Sequence, residues 1–194
     1  MNHKNLIDFY GNMMIEMAND LYPINRSITG DGLRKTLNYF KKKINLKNKY
    51  FKTGKKVFDW VIPKEWSVNK AYILDLKDNT KHANFEINNL HVVGYSQPIN
   101  RNINIDELKK YIHIDKKNKD AIPYVTSYYE KSWGFCLSQN QLKKLNNKTY
   151  KVVIDSSFKD GVMDYGETLL KGTSKKEILF SSYICHPSMA NNEL

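Results

Sequence analysis

Residues 178–194, ILFSSYICHPSMANNEL, hold the reading on which the fold turns. Ile178, Leu179 and Phe180 lead through Ser181, Ser182, Tyr183 and Ile184 to Cys185. Over 177–185 this is the most continuously apolar stretch of the C-terminal part, the pattern of a central strand buried in a parallel sheet. A polar loop comes next, opening with His186 and carrying Ser188, Asn191, Asn192 and Glu193. A histidine at the C-terminal end of a central strand stands where open α/β sheets place their active sites. Neutral imidazole is a common metal ligand, and the loop supplies oxygen donors beside it. Cys185 and His186 are adjacent, so on a strand they point to opposite faces and are not expected to pair as nucleophile and base.

Upstream, residues 151–154 and 161–171 read as two companion strands of the same sheet. Between the N-terminus and this sheet the hydrophobic period changes twice. Leu6, Ile7, Phe9, Tyr10, Met13, Met14 and Met17 recur at three- and four-residue spacing, which predicts an amphipathic helix over 3–20 with its methionines filling core gaps. Pro23 breaks it, Ser27 or Thr29 can cap the next element, and Leu33, Leu37, Phe40 and Ile44 predict a second helix with a basic last turn. Gly30-Asp31-Gly32 could offer backbone N–H groups to an anion, but no P-loop lysine pattern accompanies it, so it reads as a turn.

From residue 53 the period becomes two. Short alternating runs punctuated by Pro63, Asn88-Asn89 and Pro98 predict a small β-rich module over 53–130, with a short helix at 105–112. The aromatic group Tyr124, Tyr128, Tyr129, Trp133 and Phe135 suits a core, a domain interface or a pocket wall, and a helix capped by Ser138 comes after it. The organisation expected is therefore an α/β domain whose helical part (1–52) is separated from its sheet (131–194) by an inserted β-rich domain (53–130).

Composition narrows the function classes. No run approaches the ~18 apolar residues of a membrane span. The N-terminus lacks the layout of a signal peptide. Two cysteines, Cys136 and Cys185, do not make a disulfide framework and suit reduced thiols in a cytoplasmic protein. Net charge is +11, yet the lysines are scattered among asparagines and isoleucines, with no zinc-finger, helix-turn-helix or RNA-binding consensus. They read as solvated faces, and nucleic acid is not the expected partner. His3, His82, His91 and His113 read as structural. Asp59 with Glu65, and Asp164 with Glu167, fall in what look like solvent-facing turns.

Several stretches resemble one bacterial family, the aminopeptidase-like domain proteins often encoded near surface-polysaccharide biosynthesis genes. They are LYPINRSITGDGLRKTL, VFDWVIPKEW, NLHVVGYSQPIN, IPYVTSYYEKSWGFCLS, DYGETLLKG and SSYICHPSMANNEL. The resemblance implies a phosphorylase/hydrolase-like zinc-peptidase fold, present here in its N-terminal half and interrupted by the small β-rich domain. It implies zinc, with His186 as a metal ligand and the bridging-carboxylate position occupied by Asn192, a neutral and poorer bridge that counts against a two-metal centre and leaves one zinc, or none, as the expectation. Glu193, Arg26, Ser27 and Tyr128 are the implied neighbours of the pocket. The implied activity is metal-dependent amide hydrolysis on a small peptide or an acylated amino sugar, with this portion inactive alone and an open sheet edge inviting a homo-oligomer. The alternative is a non-catalytic binding or assembly protein that keeps the fold.

Overall fold

The apolar repeat over 6–17 forms α1 (His3–Leu21), ending just before Pro23. The computed structural model describes residues 3–128 and 130–185. The helix does not sink its apolar face: Ile7 is 68% exposed, Ile15 63% and Met14 51%, whereas Leu21 at its end is buried. Its methionines therefore do not fill a core among the described residues. An α-helix satisfies its hydrogen bonds within its own segment, so the pattern can form the element without deciding what covers it.

The second helix, α2 (Asp31–Lys41), is capped differently from the expectation. Its N-cap is Gly30, at φ 93°, with no side-chain bond, and the Ser27 hydroxyl instead donates to the Thr29 carbonyl at 2.8 Å. Leu33, Thr36 and Leu37 are its buried positions. Gly32 is dictated by space, because a Cβ there would overlap the backbone carbonyl oxygen of Asn25.

The chain continues through β1 (Lys47–Lys52), β2 (Lys56–Val57), β3 (Trp60–Val61), β4 (Glu65–Asp75), β5 (Lys81–His82) and β6 (Ile99–Asn104). Then come α3 (Ile105–Leu108), β7 (Ile112–His113), β8 (Phe135–Cys136), α4 (Gln139–Leu142), β9 (Thr149–Lys159) and β10 (Val162–Glu167). Two compact units result, one of Met1–Tyr50 with Asp164–Leu194 and one of Phe51–Met163. The first contains α1 and α2.

The second unit is built on a four-stranded sheet of order β5-β4-β9-β6, antiparallel throughout. Ala71 faces Ile154 and Ile73 faces Val152 across β4 and β9, and Ile103 on β6 faces Tyr150. All six are buried, so one face of the sheet is core and the alternation of β4 and β9 reflects it. The strand expected over 151–154 thus belongs to this sheet, and the unit takes in residues 131–163, which the sequence pattern assigns to the later sheet. Ser138 caps α4 with a reciprocal Gln141 bond, as expected. The helix expected at 105–112 is shorter: α3 runs into a 3₁₀ turn at Lys109–Tyr111.

Two expectations are corrected here. Residues 177–185 form no strand, and Ile178, Leu179 and Phe180 are 83%, 89% and 90% exposed. A strand needs a ladder partner for its N–H and C=O groups, and no described segment pairs with this run. The parallel sheet of the expected hydrolase fold is accordingly not seen among the described residues, whose architecture is mixed α/β with small sheets. Glu65 is not solvent-facing but buried: its carboxylate accepts the Val162 N–H at 2.8 Å, and Gly161 is small because a Cβ there would strike that carboxylate.

Candidate functional site

Arg26, implied as a pocket neighbour, is buried at 2% exposure in the loop between α1 and α2. Its Nη1 donates to the Leu21 carbonyl oxygen at 2.7 Å. The last carbonyls of a helix have no partner within it and carry the negative end of the dipole, so a guanidinium there satisfies both. Ser27 and Thr29 beside it are buried as well. The close approach of the Asn25 carbonyl to Gly32 holds this loop against the first turn of α2. On α2, Arg34 reaches Asp31 at 2.7 Å and Asp164 at 3.1 Å, which shows Asp164 as an ion-pair partner rather than a free acid. Glu167 pairs with Lys49 at 2.7 Å.

The same unit brings Cys185 within electrostatic reach of Arg26. Burial raises the Cys185 thiol above its ordinary value, and the Arg26 charge partly offsets that. His186, Asn192 and Glu193 lie outside the described residues. Among the described residues, no group of three or more His, Cys, Asp or Glu side chains converges as a metal site would require.

Tyr128 lies in the other unit and belongs to its aromatic core. Its hydroxyl is 3.1 Å from that of Tyr124, and its ring meets Tyr95 edge-on at 4.9 Å. Tyr95, at φ 65°, stacks on Trp66 at 5.7 Å. Trp133 stacks instead on Tyr111 at 4.0 Å and meets Phe135 edge-on. Tyr129 lies outside the described residues, and the rest of that aromatic group divides between two clusters, both within Phe51–Met163. The same core centres on Ser96, a residue the sequence does not mark. Its carbonyl accepts from Trp66 Nε1 at 3.0 Å and Ser156 Oγ at 2.7 Å, and its hydroxyl accepts the Gly134 N–H at 3.2 Å.

His91 is structural, as expected: Nδ1 lies 2.8 Å from the Cys136 carbonyl oxygen, which can only accept, so the ring donates there. Burial lowers its pKa, with the carbonyl bond as a smaller opposing effect, and burial lowers that of His113 too. Both histidines thus bind protons less readily folded than unfolded. Stability is full above the ordinary histidine value near 6.5 and is lost as pH falls below it towards the lowered folded values. The expected result is a decline in Tm as pH falls below about 6.5, and a His91→Gln variant should show a shallower decline. An equal slope in wild type and variant would remove His91 from this role. Cys136 is pushed up to about 12 by burial and stays an unreactive thiol.

Comparison with known proteins adds three findings. The family described as "Domain of unknown function (DUF4910)" matches residues 15–194. The chain is 47% identical over 184 residues to a Clostridium acetobutylicum protein described as "Putative polysaccharide biosynthesis protein with aminopeptidase-like domain". That match covers 95% of this chain and 42% of the relative. The chain also superposes with a TM-score of 0.88, at 45% identity, on a crystal structure described as a "putative peptidase" from Clostridium acetobutylicum, covering 96% of this chain and 46% of the other. It thus spans somewhat under half the length of the relatives it matches.

Proposed function

Because the chain belongs to the family described as a domain of unknown function (DUF4910), and its relatives carry peptidase names, we propose that it forms part of a metal-dependent, aminopeptidase-like hydrolase with His186 as a zinc ligand. The observation that carries this reading is 47% identity, across 95% of the chain, to a protein described as having an aminopeptidase-like domain. The donor chemistry of 186–193 suits one zinc: His186 offers an imidazole, Glu193 a carboxylate and Asn192 a neutral amide. Two zinc ions want a bridging carboxylate, which Asn192 does not provide.

When bound, zinc would supply Lewis-acid polarisation of an amide carbonyl and a water whose pKa falls towards about 7. The chain's own part is to hold and orient. His186 would hold the metal through a neutral ring nitrogen, Glu193 could take up or release a proton, and Arg26 is fixed by the Leu21 carbonyl. The substrate class is a small peptide or an acylated amino sugar, in the cytoplasm, and self-association of the protein is compatible with the exposed run at 178–180.

The test is hydrolysis of aminoacyl p-nitroanilides and N-acetyl amino sugars by the chain extended to the length of its relatives. Activity should vanish with a chelator, return with zinc, and be absent from a His186→Ala variant that keeps its fold. The 194-residue chain alone should be inactive. Chelator-resistant hydrolysis would overturn the metal-dependent reading. Asn192 favours a second reading, a non-catalytic binding or assembly protein with the same fold, which an inactive, zinc-free extended form would support.

A further inference from the structure

The hairpin of β2 and β3 carries a residue that its own unit does not explain. Val57 pairs with Trp60, so the turn between them is two residues long, Phe58 and Asp59. Phe58 sits at φ 55°, in the left-handed region that glycine, asparagine and aspartate enter readily and a phenylalanine rarely does. Its ring is 93% exposed, so packing among the described residues does not offset that strain. The hairpin is nonetheless held firmly at its base. Buried Ile62 donates its N–H to the Lys55 carbonyl at 3.0 Å and accepts from the Gly54 N–H at 2.9 Å. Thr53 Oγ donates to the Pro63 carbonyl at 3.1 Å and accepts the Gly161 N–H at 3.0 Å. Strained, exposed and fixed, Phe58 is an apolar knob set in advance for a contact.

The same unit holds a hollow of matching character. A depression of about 430 Å³ opens on the four-stranded sheet where β6 begins. Pro98, Ile99, Val153 and Ile154 give it an apolar lining, and Lys70 and Asp155 a charged one. A space of this size takes a whole small ligand, and so a phenyl ring. Phe58, being exposed, does not fill the hollow of its own chain.

Charge agrees with shape. Phe58 is flanked by the cation Lys56 and the anion Asp59, and the hollow sets Lys70 opposite Asp155 across β4 and β9. Among the described residues none of these four is in an ion pair, and Asp155 accepts only the Asn69 amide, at 3.4 Å. A docked hairpin can set Asp59 against Lys70 and Lys56 against Asp155, whereas a partner of one charge sign would meet a repelling group.

We propose that Phe58 of one copy inserts into the Lys70–Asp155 hollow of a second copy of this chain. Knob and hollow lie on the same unit, so a reciprocal exchange makes two identical contacts about a two-fold axis. The contact depends neither on the hydrolase reading nor on the exposed run at 178–180. The test is sedimentation velocity of the 194-residue chain over about a hundredfold range of concentration, where a reversible dimer is expected. Phe58→Gly relieves the left-handed strain, so it should keep or raise Tm while weakening the dimer by about thirtyfold or more. Asp59→Lys and Lys70→Asp should each weaken it by about tenfold. The double variant Asp59→Lys/Lys70→Asp, whose net charge is that of wild type, should return to within about threefold of it. Leu179→Ser/Phe180→Ser, in the other unit, should leave the dimer unchanged. A wild-type chain that stays monomeric would overturn the proposal. So would a dimer that survives Phe58→Gly, one lost in Leu179→Ser/Phe180→Ser, or a charge swap that fails to restore what its single variants lose.

Discussion

A Gly32→Ala variant should disrupt the 25–32 loop and the start of α2 while the second unit stays folded. The added Cβ would overlap the Asn25 carbonyl oxygen and crowd the Asn25 carbonyl carbon, both backbone atoms that no rotamer change can move aside. Relief requires displacing the 25–26 backbone, and with it Arg26 from the Leu21 carbonyl. That takes a buried charged donor off the Leu21 carbonyl, which keeps only the Ile24 N–H at 3.1 Å, a loss of about 2–3 kcal/mol before the strain of moving the backbone is added. Hydrogen exchange reads the result by region. Amides of 31–41 should lose protection by a factor of a hundred or more, while those of β4 and β9 change little. Unchanged protection in α2 would mean that the Asn25–Gly32 approach is not a constraint.

The second large effect is expected at Trp66, in the other unit. Its indole is 3% exposed, stacks on Tyr95 and donates to the Ser96 carbonyl. Trp66→Ala removes the ring's burial, leaves a cavity, and costs about 3–5 kcal/mol, the range for deleting a large core aromatic. It also removes one of the two donors on the Ser96 carbonyl, so the loop carrying Tyr95 at positive φ loses support together with the core. Trp66→Phe keeps most of the volume and loses the N–H, and should cost about 1–2 kcal/mol. Urea unfolding distinguishes the cases. A Trp66→Ala midpoint equal to that of Trp66→Phe would show that the indole N–H, not the ring's packing, dominates.

The part of the fold legible in the amino-acid sequence is the local part. α1, α2 and the Ser138 cap are written in three- and four-residue spacings and in single side chains that bond two or three residues on. The length and face of β4 are set by its alternation, since Ala71 and Ile73 must share a side. Partnership is not local. Nothing in residues 149–159 says that Ala71 will lie opposite Ile154, and the apolar run there suits a parallel sheet as well as an antiparallel one. Glu65 looks like a surface acid because its partner, the Val162 N–H, is distant in sequence. The run at 177–185 misleads in the other direction: apolar residues state what could be buried, not whether a partner strand is present.

The candidate site divides in the same way. Arg26 and Ser27 enter through resemblance, and the structure shows them buried and bonded to the end of α1 and to the Thr29 carbonyl. Tyr128 comes from the same source and is explained as core by its contacts with Tyr95 and Tyr124. The buried Ser96 node leaves no trace in the sequence, because serine there looks like any loop serine until Trp66 and Ser156 converge on its carbonyl.

The central claim is that His186 holds a metal. Its most direct test is the zinc content of the protein extended to the length of its relatives, measured by elemental analysis after dialysis, beside the same protein carrying His186→Ala. The account predicts close to one zinc per chain in the parent and a loss of most of it in the variant, with the fold of both verified by circular dichroism. A parent that folds and holds no zinc, or a variant that retains it undiminished, would contradict the claim and leave His186 without a metal-binding role.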